Sequence, residues 1–289
     1  MVKPLHKNED SGFVQHLKER NPDMYIEGWT FYCDVEGHGE FKTLVYDGDF
    51  TKATCPRCKE CSDREADRAR AVREFQDDLV KRYGVPADNA FATFENFEIR
   101  DYLGDQVKFE DSLALNATKN LADAVVSGDR YYALRNVTLF GTTGAGKSYL
   151  GAAAVAQTVK NGKSALMIAD SALLSQVLAC GKGKGAEQDQ MRKRFEEYSL
   201  LVIDDMDHER WHQAKCTFLA DLLIARFGAM KQTLILSNRS KDELLPAFGS
   251  AVESRLKRGR FITVTGEDRR KRQKMQEVRD EKASEKEAG

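Results

Sequence analysis

Five short apolar runs rich in β-branched residues mark the chain beyond residue 135: VTLF (137–140), SALMI (164–168), LLVI (200–203), TLIL (233–236) and FITV (261–264). The stretches between them carry apolar residues at helical spacing. Continuous apolar runs that alternate with helices predict strands buried on both faces, hence an α/β fold with a central parallel sheet. A further helix is expected over 109–127, ahead of the first run and after a loop carrying Phe91, Phe94 and Phe97. Upstream, Ala66, Ala69, Val72, Phe75, Leu79 and Val80 recur at helical spacing through the charged segment SDREADRARAVREFQDDLVKRY (62–83). This predicts a linker helix that stops at Gly84-Val85-Pro86. The first 62 residues read differently, with GWTFYC, GHGEF and VYDGDF suggesting short strands and turns. From Glu267 onward the chain is almost entirely polar, as in a frayed helix or a disordered tail. The expected organisation is therefore a small domain over 1–62, a linker helix within 63–90, an α/β domain over 91–266 and a charged tail over 267–289.

Composition narrows the partners. A charged fraction of 31% against 41% hydrophobic fits a soluble chain with exposed charged helices, and a net charge of -1 excludes a global field for nucleic acid. Any contact with nucleic acid must use local basic segments. One such segment holds Lys182, Lys184, Arg192, Lys193 and Arg194, diluted by Glu187, Glu196 and Glu197, and RRKR at 269–272 is another. Either is equally a solvated surface. The N-terminus lacks the apolar stretch of a secretory signal, and no apolar run approaches the roughly 18–20 residues of a membrane span. A cytoplasmic protein with no membrane partner is expected.

Four of the six cysteines, Cys33, Cys55, Cys58 and Cys61, cluster near the N-terminus. In a reducing compartment such a cluster suggests a metal and not disulfides. Cys33-x4-His38 and Cys55-x2-Cys58 form two ligand pairs with the spacing of a tetrahedral structural zinc site. Cys61 is an alternative ligand, since Cys55, Cys58 and Cys61 together would displace Cys33 and His38.

The segment GTTGAGKSY (141–149) follows the first predicted strand and opens a predicted helix, the context that a G-x-x-x-x-G-K-S phosphate loop requires. Backbone N–H groups of Gly141, Thr142, Thr143, Gly144, Ala145 and Gly146 can turn inward around phosphates at the positive end of the helix that Tyr149 enters. Lys147 reaches the β and γ phosphates, and the Ser148 hydroxyl ligates Mg²⁺. The run LLVIDD ends in Asp204, placed to hold the Mg²⁺ through water, and Asp205, placed to orient an attacking water. Each pair of acids after a strand is also a common helix cap. Asn238, after the fourth run, can hold the same water or serve as a turn residue. Arg255, Arg258 and Arg260 precede the last run, and phosphoryl transfer needs a cation against the charge of its transition state.

The order of phosphate loop, Asp-Asp strand, Asn-ended strand and S-R-L resembles the AAA+ ATPases of the DnaC/DnaI helicase-loader type and the related IstB transposition helpers. The resemblance covers roughly 91–270 and starts at FATFENF. It implies that Gly141–Ser148 are the Walker A motif, Asp204 and Asp205 the Walker B pair, Asn238 sensor 1 and Arg255 the arginine finger. ITVTGEDRR is similar to the closing strand and G-E-S-x-R motif, with Asp268 in place of Ser and Arg270 at the Arg position. Asp207 stands where the family often has Gly, so the turn there is expected to differ. C-x4-H-G followed by C-P-x-C resembles the zinc module of some phage and Gram-positive loaders, which favours Cys33, His38, Cys55 and Cys58 as ligands. What the resemblance implies is an ATPase with ATP, Mg²⁺ and Zn²⁺ as cofactors. It would form a homo-oligomer in the presence of ATP, bind a replicative hexameric DNA helicase and line a path for single-stranded DNA through its helical insert. The rivals are a transposition helper and a P-loop small-molecule kinase. The Asn-ended strand, the S-R-L element and the absence of an N-K-x-D signature speak against the kinase.

Overall fold

The computed structural model describes residues 2–7, 26–35, 37–46, 55–129, 136–180, 185–206 and 213–269. Two compact units divide the chain, Met1–Phe75 and Gln76–Gly289.

In the first unit, β1 (Val2–Lys7), β2 (Ile26–Cys33) and β3 (Gly39–Tyr46) form an antiparallel sheet in that order. Alternation sets which side is covered: Phe31, Cys33 and Val45 are buried, while Tyr32 stays exposed. Phe31 stacks on its cross-strand partner Phe41 with ring centroids 5.8 Å apart. Buried Glu27 pairs with Lys7 of the neighbouring strand and accepts from Trp29 Nε1 at 2.9 Å. Helix α1 (Pro56–Tyr83) begins earlier than the apolar spacing predicts. Pro56 takes its first position, where the missing N–H costs nothing.

The second unit alternates helices and strands as the apolar runs require. Its elements are α2 (Asp105–Ser127), β4 (Asn136–Gly141), α3 (Lys147–Lys160), β5 (Ala165–Ala169), α4 (Asp170–Ala179) and α5 (Gly185–Glu197). They continue with β6 (Leu200–Met206), α6 (Gln213–Gly228), β7 (Gln232–Ser237), α7 (Lys241–Ala247), α8 (Ser250–Leu256) and β8 (Arg260–Val264). The five strands form one parallel sheet in the order β5-β6-β7-β4-β8. Every residue of β7 is buried, as expected for a strand covered on both faces. One face receives α3, whose Gly151 lies so close to the sheet that a Cβ there would stand 2.9 Å from Leu236 and 3.1 Å from Val202. The alternate residues Leu201, Ile203 and Ile235 pack with Phe218, Leu219 and Leu222 of α6 and Val252 and Leu256 of α8. α1 ends where Val85 N–H returns to Leu79 C=O at 3.1 Å. Gly84, at φ +72°, lets the turn approach β5, because a Cβ would lie 2.1 Å from Met167 O. The tail from residue 270, Lys182 and Lys184 of the basic segment, and Asp207 lie outside the described residues.

Candidate functional site

The carboxyl ends of the adjacent strands β6, β7 and β4 bring the predicted residues together, the edge where open parallel sheets place ligands. The loop 141–146 links β4 to the N-terminus of α3. Gly144 and Gly146 have φ of +79° and +103°, a region that suits glycine and lets successive peptides turn their N–H groups to one side. Gly141 meets β8 so closely that a Cβ would fall 1.8 Å from Val264 O.

Lys147 is buried, and its Nζ donates to Gly141 C=O (2.8 Å), Thr142 C=O (2.8 Å) and Asn238 Oδ1 (2.9 Å). Asn238, one residue past β7, donates from Nδ2 to Asp205 Oδ1 at 2.6 Å. A single amide therefore joins the loop lysine to the second acid of the Asp-Asp pair. Asp205 reaches that partner because the β6–β7 register shifts between Ile203 and Met206 and Asp205 itself adopts φ +54°, a strained value for a residue with a Cβ. Ser148 Oγ donates to Asp204 Oδ1 at 3.1 Å. Burial raises the Asp204 carboxyl above its ordinary pKa, against hydrogen bonds from Ser148 and the Asp205 N–H. A hydroxyl beside a desolvated carboxylate is an all-oxygen donor pair suited to a hard divalent cation, and Ser148 and Asp204 fit Mg²⁺ on that ground. The glycine loop, the helix N-terminus and the buried ammonium of Lys147 fit a phosphate chain.

Tyr149 lies behind the loop. Its hydroxyl accepts from Thr93 N–H at 3.3 Å, and its ring meets Phe91 and Phe97 at 6.1 and 5.9 Å, tying the FATFENF loop to α3. Arg255 sits instead on α8, half-buried, one turn before β8. On α5, Lys193 and Arg194 are exposed, whereas Arg192 is paired with Glu196 and Asp189.

In the first unit, Cys33 ends β2, His38 stands in the turn before β3, and Cys55 and Cys58 flank the start of α1. The ligand atoms of these four residues all lie within 4.8 Å of one another. Cys33 Sγ is 3.5 Å from Cys58 Sγ and 3.7 Å from His38 Nδ1, which is 3.2 Å from Cys58 Sγ and 3.8 Å from Cys55 Sγ. Tetrahedral zinc with bonds of about 2.0–2.3 Å separates its ligand atoms by roughly 3.5–3.8 Å, so the quartet fits. The neighbouring Cys33 thiol and burial push the Cys58 thiol up to about 11, a crowding that a bound cation would relieve. Arg57 Nη1 donates to Gly37 C=O at 2.6 Å and His38 C=O at 3.2 Å, holding the His38 turn beside the helix start. Cys61 lies in the first turns of α1, and its side chain is outside the description.

Sequence reasoning missed one group at the site. It placed the closing arginine at Arg270, which lies outside the described residues; the structure brings Arg269 onto the phosphate loop, with Arg100 and Asp111 buried behind it. No local pattern signals this. Asp111 sits on a helix that reads as amphipathic, and its partners come from distant segments.

The family model described as IstB-like ATP binding protein matches residues 105–277. The replicative helicase loader DnaC of Escherichia coli strain K12 is 24% identical over 124 residues, covering 43% of this chain and 51% of that protein. The chain thus spans about half the length of this curated relative. Among solved structures, the replication initiator DnaA bound to AMPPCP and single-stranded DNA has a TM-score of 0.50 at 20% identity over 61% of this chain and 50% of that one, a likeness of fold. The crystal structure of the DnaC helicase loader has a TM-score of 0.49 at 17% identity over 62% and 99%. The fold is that of an AAA+ P-loop domain, and the family match spans more than half of the chain, from α2 through β8 and every residue of the nucleotide site. The chain belongs to the family of IstB-like ATP binding proteins.

Proposed function

We propose that this chain loads a replicative hexameric DNA helicase onto single-stranded DNA, using ATP. The observation that carries the reading is the Cys33, His38, Cys55 and Cys58 quartet in front of an IstB-like ATP-binding domain. A front zinc module resembles that of loaders, and transposition helpers generally lack one. Residues 1–62 hold zinc and grip the helicase, 63–90 link them to the ATPase domain over 91–266, and 267–289 form a charged tail. Such a loader works in the cytoplasm; among the described residues no helix is long and apolar enough to cross a membrane.

Within the site, the loop from Gly141 to Ser148 and Tyr149 hold the nucleotide. Lys147 leaves its carbonyl partners and Asn238 for the β and γ phosphates. Ser148 and Asp204 would hold Mg²⁺, which would supply positive charge against the phosphate oxygens. Asp205 and the freed Asn238 orient the water whose oxygen attacks the γ-phosphorus as the bond to ADP breaks. Arg255 of a neighbouring copy offsets the charge of the transition state, which makes ATP-dependent homo-oligomers the active form. Exposed Lys193 and Arg194 on α5 track phosphates of single-stranded DNA without reading bases.

Co-purification with a hexameric replicative helicase is the test. Capture should persist in Lys147→Ala and fail in Cys55→Ser, because the grip belongs to the zinc module. Capture that survives Cys55→Ser moves the partner surface into the ATPase domain. No capture, together with retention of a transposase, favours the transposition helper that the family also includes.

A further inference from the structure

After β8 the chain crosses the phosphate loop as a strap, residues 265–269, and both ends of the strap are tied down. At its start, Thr265 donates from N–H (3.0 Å) and Oγ1 (2.6 Å) to Glu110 of α2. Arg100 donates to Thr265 C=O at 2.6 Å and Glu267 C=O at 3.0 Å, and holds Asp111 bidentately at 2.7 and 2.9 Å. Arg100 and Asp111 are fully buried. At its end, Arg269 Nη2 reaches the same Asp111 at 2.8 Å, Nη1 donates to Glu98 C=O at 2.6 Å, and the guanidinium lies 4.4 Å over the Phe97 ring.

The loop itself is held at three points. Thr142 Oγ1 donates to Gly266 C=O, Arg269 N–H donates to Gly144 C=O, and Arg269 Nε donates to Ala145 C=O, each at 3.0 Å. Asp268 rests on Gly144 so closely that a Cβ there would meet its carboxylate at 1.9 Å. All peptides here are trans, so each C=O points opposite to the next N–H. An arginine that fixes the carbonyls of Gly144 and Ala145 therefore fixes the directions of the Ala145 and Gly146 N–H groups. Arg100 and Arg269 share Asp111, Glu110 lies beside it in sequence, and the Asp268 carboxylate rests on Gly144, so three acids accompany two guanidiniums and the cluster brings no net positive charge to the loop.

From this we infer that Arg269 is a positioning residue for nucleotide phosphates: it sets the peptide orientation of the phosphate loop by clamping the backs of Gly144 and Ala145, and does so by geometry and not by charge. The inference rests on nucleotide binding at this loop and is independent of the partner that the chain serves. Lysine at 269 keeps the ion pair to Asp111 but has no planar fork to serve Ala145, Glu98 and Asp111 together. Mg·ADP binding to the full chain, measured calorimetrically for the wild type, Arg269→Ala, Arg269→Lys and Thr265→Val, tests it, together with the nucleotide-induced shift of the Gly146 amide in ¹H–¹⁵N spectra. Both Arg269 variants should raise the Kd on the order of tenfold and shrink the Gly146 shift. Thr265→Val, which removes one side-chain bond to Glu110 and none of the bonds to Gly144 or Ala145, should keep the wild-type Kd. Wild-type affinity in Arg269→Lys, which keeps the buried ion pair and so the fold, overturns the inference, as does a Thr265→Val loss equal to that of Arg269→Ala. Failure of the wild type to bind Mg·ADP would instead count against the nucleotide site.

Discussion

Arg226 carries a charge into the interior, where its partners are neutral oxygens. Nε donates to Thr233 Oγ1 at 3.0 Å, Nη1 to the carbonyls of Phe195 and Tyr198 at 2.8 Å each, and Nη2 to the carbonyl of Gln232. Burial lowers its pKa to about 9, and these acceptors replace the water it has lost. Phe195 lies in the last turn of α5, where carbonyls have no partner within the helix, and Tyr198 directly follows that helix, so one side chain of α6 fastens the end of α5 to the start of β7. Arg226→Met keeps the bulk and leaves those acceptors buried and unmatched. The expected cost is about 2–4 kcal/mol, or a thermal midpoint lower by roughly 5–15 °C. Arg226→Lys, with fewer directed donors, should fall between. A midpoint for Arg226→Met equal to the wild type would mean that the four bonds contribute nothing net.

At the scale of elements, the sequence is legible where burial is symmetrical. β4, β6 and β7 lie at the predicted runs because strands covered on both faces must be apolar throughout. Boundaries shift where burial is partial. α2 begins at Asp105 and not at Phe109, because Phe109 is 65% exposed and the buried face is made of small residues such as Ala114, Ala117 and Ala122. β6 runs on to Met206 because the shift at Asp205 turns an acid toward Asn238, which no apolar pattern encodes. α1 starts at Pro56, ahead of the first residue that helical apolar spacing marks, so Cys58 lies on its first turn. The quartet thus joins a hairpin turn to a helix start, and a small unit of this kind would draw stability from a metal bound there. One zinc per chain is the expected elemental analysis. Chelation should raise amide exchange in β2, β3 and the first turns of α1 while α3 and β7 stay protected. Metal-free protein with unchanged exchange in β2 and β3 would remove zinc from the account of this fold.

The whole molecule raises the question of how many chains complete one site. Lys147, Asn238, Asp205, Ser148 and Asp204 meet within a single chain, whereas Arg255 is carried separately on α8, half-buried, near the carboxyl end of the domain. A guanidinium that serves a neighbour's γ-phosphate would make hydrolysis a property of the assembly and would leave binding to the single chain. Arg255→Ala is therefore expected to bind Mg·ATP with near wild-type affinity and to lose hydrolysis by at least about 10²-fold. Lys147→Ala should weaken binding itself, because it removes the buried ammonium at the loop. Neither variant works alone, but a mixed assembly contains interfaces in which an intact Lys147 faces an intact Arg255. In equal mixtures with random assembly, roughly a quarter of interfaces have both, so turnover should recover to that order of the wild-type rate. The measurement is steady-state phosphate release from the two variants, separately and mixed, with mixed assemblies verified by differential tags. If mixed assemblies form and phosphate release stays at the level of the parents, Arg255 does not act across the interface, and Arg258 and Arg260, between α8 and the end of β8, become the residues to test in the same design.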